Sequence, residues 1–253
     1  AGGIPIHIPL KASQNFAINW DELASKITSR TRAIMVNSPH NPTGAVWSME
    51  DLDAFAEIVK GTNILIVSDE VYEHIVFDGA QHASVLLHPE LRKRSFVCGS
   101  FGKTYHITGW KIGYCLATAF LTSEFRKLHQ WVTFSSATPL QYALADYLKE
   151  PAHYLGLSDF YQKKRDLFAS QFSGTKWKVL PSAGSFFQCL DYSAISNEKD
   201  VDLADRLTRE IKVASIPVSV FFETDPGDKI LRFCFAKEDD MLVEAAKRLV
   251  QIL

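Results

Sequence analysis

The sequence predicts an α/β chain, with a mostly parallel sheet sandwiched by helices and then a smaller α+β region. Three observations predict it. First, four apolar runs read as strands: "RAIMVNSP" (32–39), "NILIVSDEVY" (63–72), "SFVCGS" (95–100) and "IGYCLAT" (112–118). Their near-continuous hydrophobicity is that of strands covered on both faces. Second, helical patterns alternate with them, which is the rhythm of a parallel sheet. Third, beyond about residue 146 the texture changes to short strands in antiparallel-looking pairs, so residues 1–145 and 146–253 are expected to form two domains.

Along the chain, "IPIHIPL" (4–10) alternates and reads as a strand, and "DELASKITSRT" (21–31) reads as a helix. "SMEDLDAFAEIVKG" (48–61) opens on a serine cap, carries acidic residues in its first turn and ends on Gly61. Residues 121–149 are helical with a break at "SSATP" (135–139), and "SDFYQKKRDLFASQF" (158–172) is a further helix. "KWKVLP" (176–181) and "GSFFQCLDY" (184–192) look like an antiparallel pair. A helix (199–212), two strand-like runs (213–220 and 229–236) and an amphipathic helix (238–252) complete the chain.

Composition narrows the function classes. The chain has 253 residues, 47% hydrophobic and 22% charged, with a formal net charge of -2. Nothing in that charge draws it toward nucleic acid or an anionic membrane. No apolar run approaches the roughly 20 residues that span a bilayer. The four cysteines, Cys98, Cys115, Cys189 and Cys234, lie in strand-like contexts without C-x-x-C spacing. They read as buried free thiols, which fits a cytoplasmic protein. The eight histidines form no H-E-x-x-H pair, and no metal is expected.

Ligands of α/β sheets bind at the carboxyl ends of the strands, so the polar residues there carry the functional argument. The first exit offers Asn37, His40, Asn41 and Thr43, the second Asp69, Glu70, Tyr72 and His74, and the third Ser100 and Lys103. Lys111 comes next among glycines, and Arg232 interrupts the apolar run "KILRFCFA". An aldehyde cofactor needs a lysine amine. A pyridine ring that takes up electrons needs a carboxylate at its protonated nitrogen. Its phosphate needs hydroxyl and cationic groups, and an amino acid's carboxylate fits the planar fork of arginine.

The ordered motifs "NPTG" (41–44), "SDEVY" (68–72), "SFGKTYHITGWKIG" (100–113) and "RFCFA" (232–236) resemble the class I aminotransferases, pyridoxal-phosphate enzymes of fold type I. "VSDEVYEHI" (67–75) and "HQWVTFSSATPLQ" (129–141) are similar to the methionine and kynurenine–glutamine branch. The resemblance spans the whole chain and places it in roughly the C-terminal two-thirds of such an enzyme. It implies a large cofactor domain followed by a small domain, with pyridoxal 5'-phosphate as cofactor. Lys103 resembles the Schiff-base lysine, Asp69 the partner of the pyridine nitrogen, and Asn41 and Tyr72 the donors to the ring hydroxyl. Ser100 and Lys111 resemble phosphate ligands. Arg232 resembles the clamp on the substrate carboxylate, with Asn41 and Phe186 beside the substrate. Many members have arginine where Lys111 stands, and lysine binds phosphate less directionally.

The implied reaction is transamination of methionine or similar large neutral or aromatic amino acids with a 2-oxo acid acceptor, by a homodimer in the full-length protein. A β-lyase of the same fold, or an effector domain of a transcription regulator, are the alternatives. The resemblance also implies a cis Asn41–Pro42 peptide. Arg232 has a competing structural reading, as the partner of an internal carboxylate.

Overall fold

The structure is a computed structural model that describes residues 2–252. Ala1 and Leu253, the outer ends of the expected domain division, lie outside the described residues. Two compact units make up the chain. One comprises Ile27–Pro39 and Val46–Ser158; the other holds the residues through Lys26, the turn His40–Ala45 and those from Asp159 on. The boundary between the compact units falls after Ser158, and the His40–Ala45 turn belongs to the second unit. Hydrogen bonds explain that membership: the Gly44 carbonyl accepts from the N–H groups of Ala183 and Gly184, at 2.9 Å each.

In chain order, helix α1 (Trp20–Lys26) belongs to the second unit. The first unit then begins with β1 (Ala33–Asn37), α2 (Met49–Val59) and β2 (Leu65–Asp69). It continues through α3 (Pro89–Arg92), β3 (Ser95–Ser100), α4 (Phe101–Thr104) and β4 (Gly113–Leu116). Helices α5 (Ala119–Val132), α6 (Thr138–Tyr147) and α7 (Ala152–Leu155) come next, and α8 (Leu157–Ser170) carries the chain into the second unit.

The first unit is built on a four-stranded sheet in the order β1-β2-β3-β4. The first three strands are mutually parallel and β4 is antiparallel to β3. The register sets Asn37 beside Asp69 and Asp69 beside Cys98, so three strand residues share one row at the exits. A Cβ on Gly99 would run into the Tyr114 ring, so glycine is what lets that ring lie across β3. Helix α2 starts as the sequence predicts: Ser48 Oγ accepts from the Asp51 N–H at 3.2 Å, and Asp51 Oδ2 accepts from the Ser48 N–H at 2.8 Å. That reciprocal cap satisfies two otherwise orphaned donors. The helix buries Leu52, Phe55, Ala56 and Val59. Phe125 of α5 packs against Phe96 of β3, with ring centroids 6.4 Å apart. On the face that carries Asp69, Met35 of β1 remains 77% exposed.

The second unit holds β5 (Lys178–Val179), β6 (Phe187–Asp191), α9 (Asp200–Arg206), β7 (Ile216–Pro217), β8 (Ile230–Cys234) and α10 (Asp239–Val250). Its sheet runs β5-β6-β8-β7, antiparallel throughout. The β5–β6 pair is the one the sequence predicts. A core of Phe16, Leu180, Cys189, Val218 and Ile230 packs against it.

Three expectations need correcting. Residues 4–10 form no strand; no strand of either sheet pairs with them, and Ile4 is 83% exposed. Alternation supplies an apolar stripe, but a strand also needs a ladder partner. The run 213–220 yields only the two-residue β7, and then a single helical turn, Ser219–Phe221. The cysteines are free, but only Cys189 is fully buried; Cys98, Cys115 and Cys234 are half-buried.

Candidate active site

In the first unit, two parallel neighbouring strands deliver their exits side by side. Asp69 ends β2 and Ser100 ends β3, with Lys103 on the helical turn just beyond it. Ser100 caps that turn, its Oγ accepting from the Lys103 N–H at 3.3 Å, while Thr104 Oγ1 donates to the Ser100 carbonyl at 3.1 Å. The Lys103 Nζ lies 5.7 Å from the centre of the Tyr72 ring. Tyr72 is 2% exposed, whereas Asp69 and Lys103 are half-buried. Asp69, Tyr72, Ser100 and Lys103 thus gather at the exits of β2 and β3. Lys111 belongs to the same unit, but it is exposed and takes a left-handed backbone conformation with φ 55°.

Burial pushes the Asp69 carboxyl above its ordinary range. The Val71 N–H and the charge of Lys103 oppose that rise, and the charge of Glu70 adds to it. The Asp69 Oδ1 accepts from the Val71 N–H at 3.2 Å. Its carbonyl is pinned by Asn37 Nδ2 at 2.8 Å and by the Ser38 N–H at 3.1 Å. Cys98, beside Asp69 in the register, has its thiol pushed up to about 11, chiefly by burial. It therefore stays protonated at neutral pH and is no nucleophile.

Beneath this group lies a cluster that the sequence does not announce. Glu70 is 2% exposed. Its Oε1 accepts from Ser68 Oγ at 2.8 Å and from the Val85 N–H at 3.1 Å, and its Oε2 lies 2.7 Å from His82 Nε2. Burial raises its carboxyl, but hydrogen bonds from His82, Ser84 and Ser68, together with the charge of His82, bring it below the ordinary range. The one signal available in advance is that a carboxylate just past a buried strand needs donors. Nothing in the sequence singles out His82 as one of them.

In the second unit the functional groups meet on the antiparallel sheet. Arg232 lies in β8 between Cys189 of β6 and Ile216 of β7. Its Nη1 donates to Asn41 Oδ1 at 2.5 Å. The guanidinium carbon lies 4.1 Å from the Phe187 ring centre and 5.6 Å from that of Phe221. Asn41 comes from the turn that Cys189 Sγ also meets, at the Pro42 carbonyl 3.4 Å away. The Asn41–Pro42 peptide is cis, as expected, and Ser38–Pro39 is cis too. Gly44 has φ 75°, and a Cβ there would strike Ser182 Oγ, so this turn requires glycine. His40 Nδ1 and Thr43 Oγ1 are 2.8 Å apart, and burial pushes the His40 imidazole down to about 4. Phe186 packs between Tyr161 and Phe187, with ring centroids 5.8 and 4.8 Å away. Arg232 and Asn41 are therefore brought together, and Phe186 joins an aromatic cluster beside Phe187.

Comparison with known proteins identifies the family. The sequence profile of "Aminotransferase class I and II" matches residues 1–249. The chain is 47% identical over 253 residues to the methionine aminotransferase of Escherichia coli (strain K12), covering all of this chain and 65% of that protein. It is 33% identical over 290 residues to the kynurenine–oxoglutarate transaminase of Dictyostelium discoideum, covering 100% of this chain and 67% of that protein. Among solved structures, an Escherichia coli protein identified as having a methionine aminotransferase function superposes with a TM-score of 0.91 at 48% identity, over 94% of this chain and 63% of that one. An aromatic aminotransferase from Pyrococcus horikoshii superposes with a TM-score of 0.90 at 28% identity, over 100% of this chain and 68% of that one. The chain thus spans about two thirds of the length of the relatives it matches. Its parallel sheet flanked by helices, its small antiparallel sheet and this match along nearly its whole length place it in the class I and II aminotransferase family.

Proposed function

We propose that the full protein carrying this chain transaminates methionine or similar large neutral or aromatic amino acids, with a 2-oxo acid as acceptor and pyridoxal 5'-phosphate as cofactor. The observation that carries the proposal is the meeting of a half-buried amine, a half-buried carboxylate and a buried phenol at adjacent strand exits: Lys103, Asp69 and Tyr72. That donor set fits a pyridine aldehyde, which needs an amine partner, a counter-charge for its ring nitrogen and a donor to its hydroxyl oxygen. When bound, the cofactor supplies an electron sink for the bond broken at the substrate Cα.

The chain's own residues do the rest. The Lys103 amine takes the proton from Cα as general base and returns it as general acid. Asp69 keeps a proton at the ring nitrogen through its negative charge. Tyr72 and Asn41 donate to the ring hydroxyl oxygen; Asn41 uses its acceptor end for Arg232, which leaves Nδ2 as its donor end. Ser100 and Lys111 hold the phosphate. Arg232 offers a planar fork to the substrate carboxylate, and Phe186 borders the substrate side chain. In this reading residues 1–145 belong to the large cofactor domain of the parent protein and 146–253 to its small domain, a functional division that the compact units cut differently.

The protein acts as a cytoplasmic homodimer in this proposal, with amino acids and 2-oxo acids as its partners. Among the described residues no helix is long and apolar enough to cross a membrane. The test incubates the full-length protein with pyridoxal phosphate, a 2-oxo acid acceptor and a panel of amino acids. Formation of the donor's 2-oxo acid together with the acceptor's amino acid supports the proposal. Ammonia and pyruvate from β-substituted substrates, without amino transfer, would replace it with a β-lyase.

A further inference from the structure

We infer that Glu70, held by His82, is the positioning residue that fixes Asp69 and Tyr72 for the cofactor. The inference rests on the proposed cofactor chemistry and extends it to a pair of residues outside the cofactor-contacting set.

Strand alternation sends Asp69 to one face of β2 and Ser68 and Glu70 to the other; the hydrogen bond between Ser68 and Glu70 shows the shared face directly. A carboxylate 2% exposed is tolerated only when its oxygens are paired. Two of its partners, His82 and the Val85 N–H, come from the segment that returns toward α3, so Glu70 ties that segment to the strand exit. Its backbone is pinned as well: its N–H donates to the Cys98 carbonyl at 2.9 Å, and its carbonyl accepts from the Glu73 N–H at 2.9 Å. Glu70 is therefore a fixed post between Asp69 and Tyr72. A bound ring needs both of those groups held closely in place, because a misplacement of about 1 Å is costly in a reacting site.

His82 supplies a second observation. Its side chain is 11% exposed, and its Nδ1 is buried with no hydrogen-bond partner among the described residues. A histidine that leaves one nitrogen orphaned is a poor choice for packing alone. Its bond to Glu70 through Nε2 accounts for its presence.

The test uses the full-length protein with three variants: His82→Gln, His82→Phe, and the double variant Glu70→Leu/His82→Phe. The double variant removes the buried pair together, though the Ser68 hydroxyl and the Val85 N–H lose their acceptor, so a moderate fall in melting temperature is expected. The readouts are the pyridoxal-phosphate dissociation constant from absorbance titration, the pH at which the bound cofactor's absorbance titrates, and the melting temperature. The expected result is a double variant that still folds cooperatively, binds the cofactor at least about tenfold more weakly and titrates at a displaced pH. His82→Gln, whose amide can still donate to Glu70, should stay near wild type, and His82→Phe should not.

A double variant with wild-type affinity and midpoint overturns the inference. If the double variant fails to fold, equal affinities and midpoints for His82→Gln and His82→Phe overturn it. A wild-type protein that shows no cofactor absorbance dependent on Lys103 overturns the cofactor reading, and this inference with it. Wild-type binding matched by the double variant overturns this inference alone.

Discussion

The two units assemble their functional groups in opposite ways. In the parallel sheet, Asp69, Tyr72, Ser100 and Lys103 all stand within a few residues of a strand end. Adjacent parallel strands bring those ends together without further help. In the antiparallel sheet, Arg232 sits in the middle of β8, and its partner Asn41 is 191 residues away in the sequence. That guanidinium meets residues far along the chain. It is placed by the faces of Phe187 and Phe221 and by a turn stitched to the sheet at Gly44 and Pro42. The group in the first unit thus depends on strand order and the group in the second on long-range contacts. The two groups should therefore respond differently to perturbation.

The largest effect is expected in the parallel sheet. Lys103→Ala in the full-length protein should lower transamination by about 10²–10⁴-fold, the usual worth of a positioned acid–base group. Borohydride reduction of the wild-type holoenzyme and subsequent peptide mapping should place the cofactor label on Lys103. A label on another lysine would remove Lys103 from the proposal. Next comes the antiparallel sheet. Arg232→Lys should weaken amino-acid and oxo-acid binding alike, by about 2–5 kcal/mol, and leave cofactor absorbance unchanged. Spectral titration with substrate and the melting temperature, measured on one preparation, separate this from a structural role. A lower melting point with unchanged titration would assign Arg232 to the fold.

The third effect belongs to the turn that carries Asn41. Burial lowers the His40 imidazole from 6.5 to about 4, so below pH 6.5 the unfolded chain takes up a proton that the folded one refuses. Stability contributed by neutral His40 above pH 6.5 should drain away between pH 6.5 and 4, by at most about 3 kcal/mol. Denaturant midpoints across that range should show a steeper acid limb in wild type than in His40→Asn. The smallest effect has the opposite sign. The Asp69 carboxyl is raised above 3.8 by burial, so the folded state binds its proton more tightly than the unfolded state does. Its contribution to stability is present below 3.8 and lost as pH rises through the raised value, leaving an ionised carboxylate that destabilises the cofactor-free protein at neutral pH. Asp69→Asn apoprotein should then melt slightly above wild type at neutral pH, with the gap closing on acidification. An apoprotein variant that melts lower would make Asp69 a structural residue.

The sequence by itself determined the features that local pattern dictates. Apolar runs with polar exits located β1, β2 and β3, and a serine cap followed by acidic residues located the start of α2. The nearness of Asp69, Tyr72 and Lys103 was legible because each stands at or just past the exit of one of two adjacent parallel strands, whose register alone brings those exits side by side. Tertiary structure decided the rest. It left residues 4–10 outside both sheets, because an alternating pattern cannot supply its own ladder partner. It carried the His40–Ala45 turn into the second unit, where Gly44 approaches Ser182 more closely than any side chain permits. It chose Asn41 for the half-buried Arg232 and His82 for the buried Glu70, since a charge withdrawn from water needs partners but does not specify where in the chain they lie. Pairings of that kind are set by three-dimensional packing, which leaves no periodicity in the sequence to read.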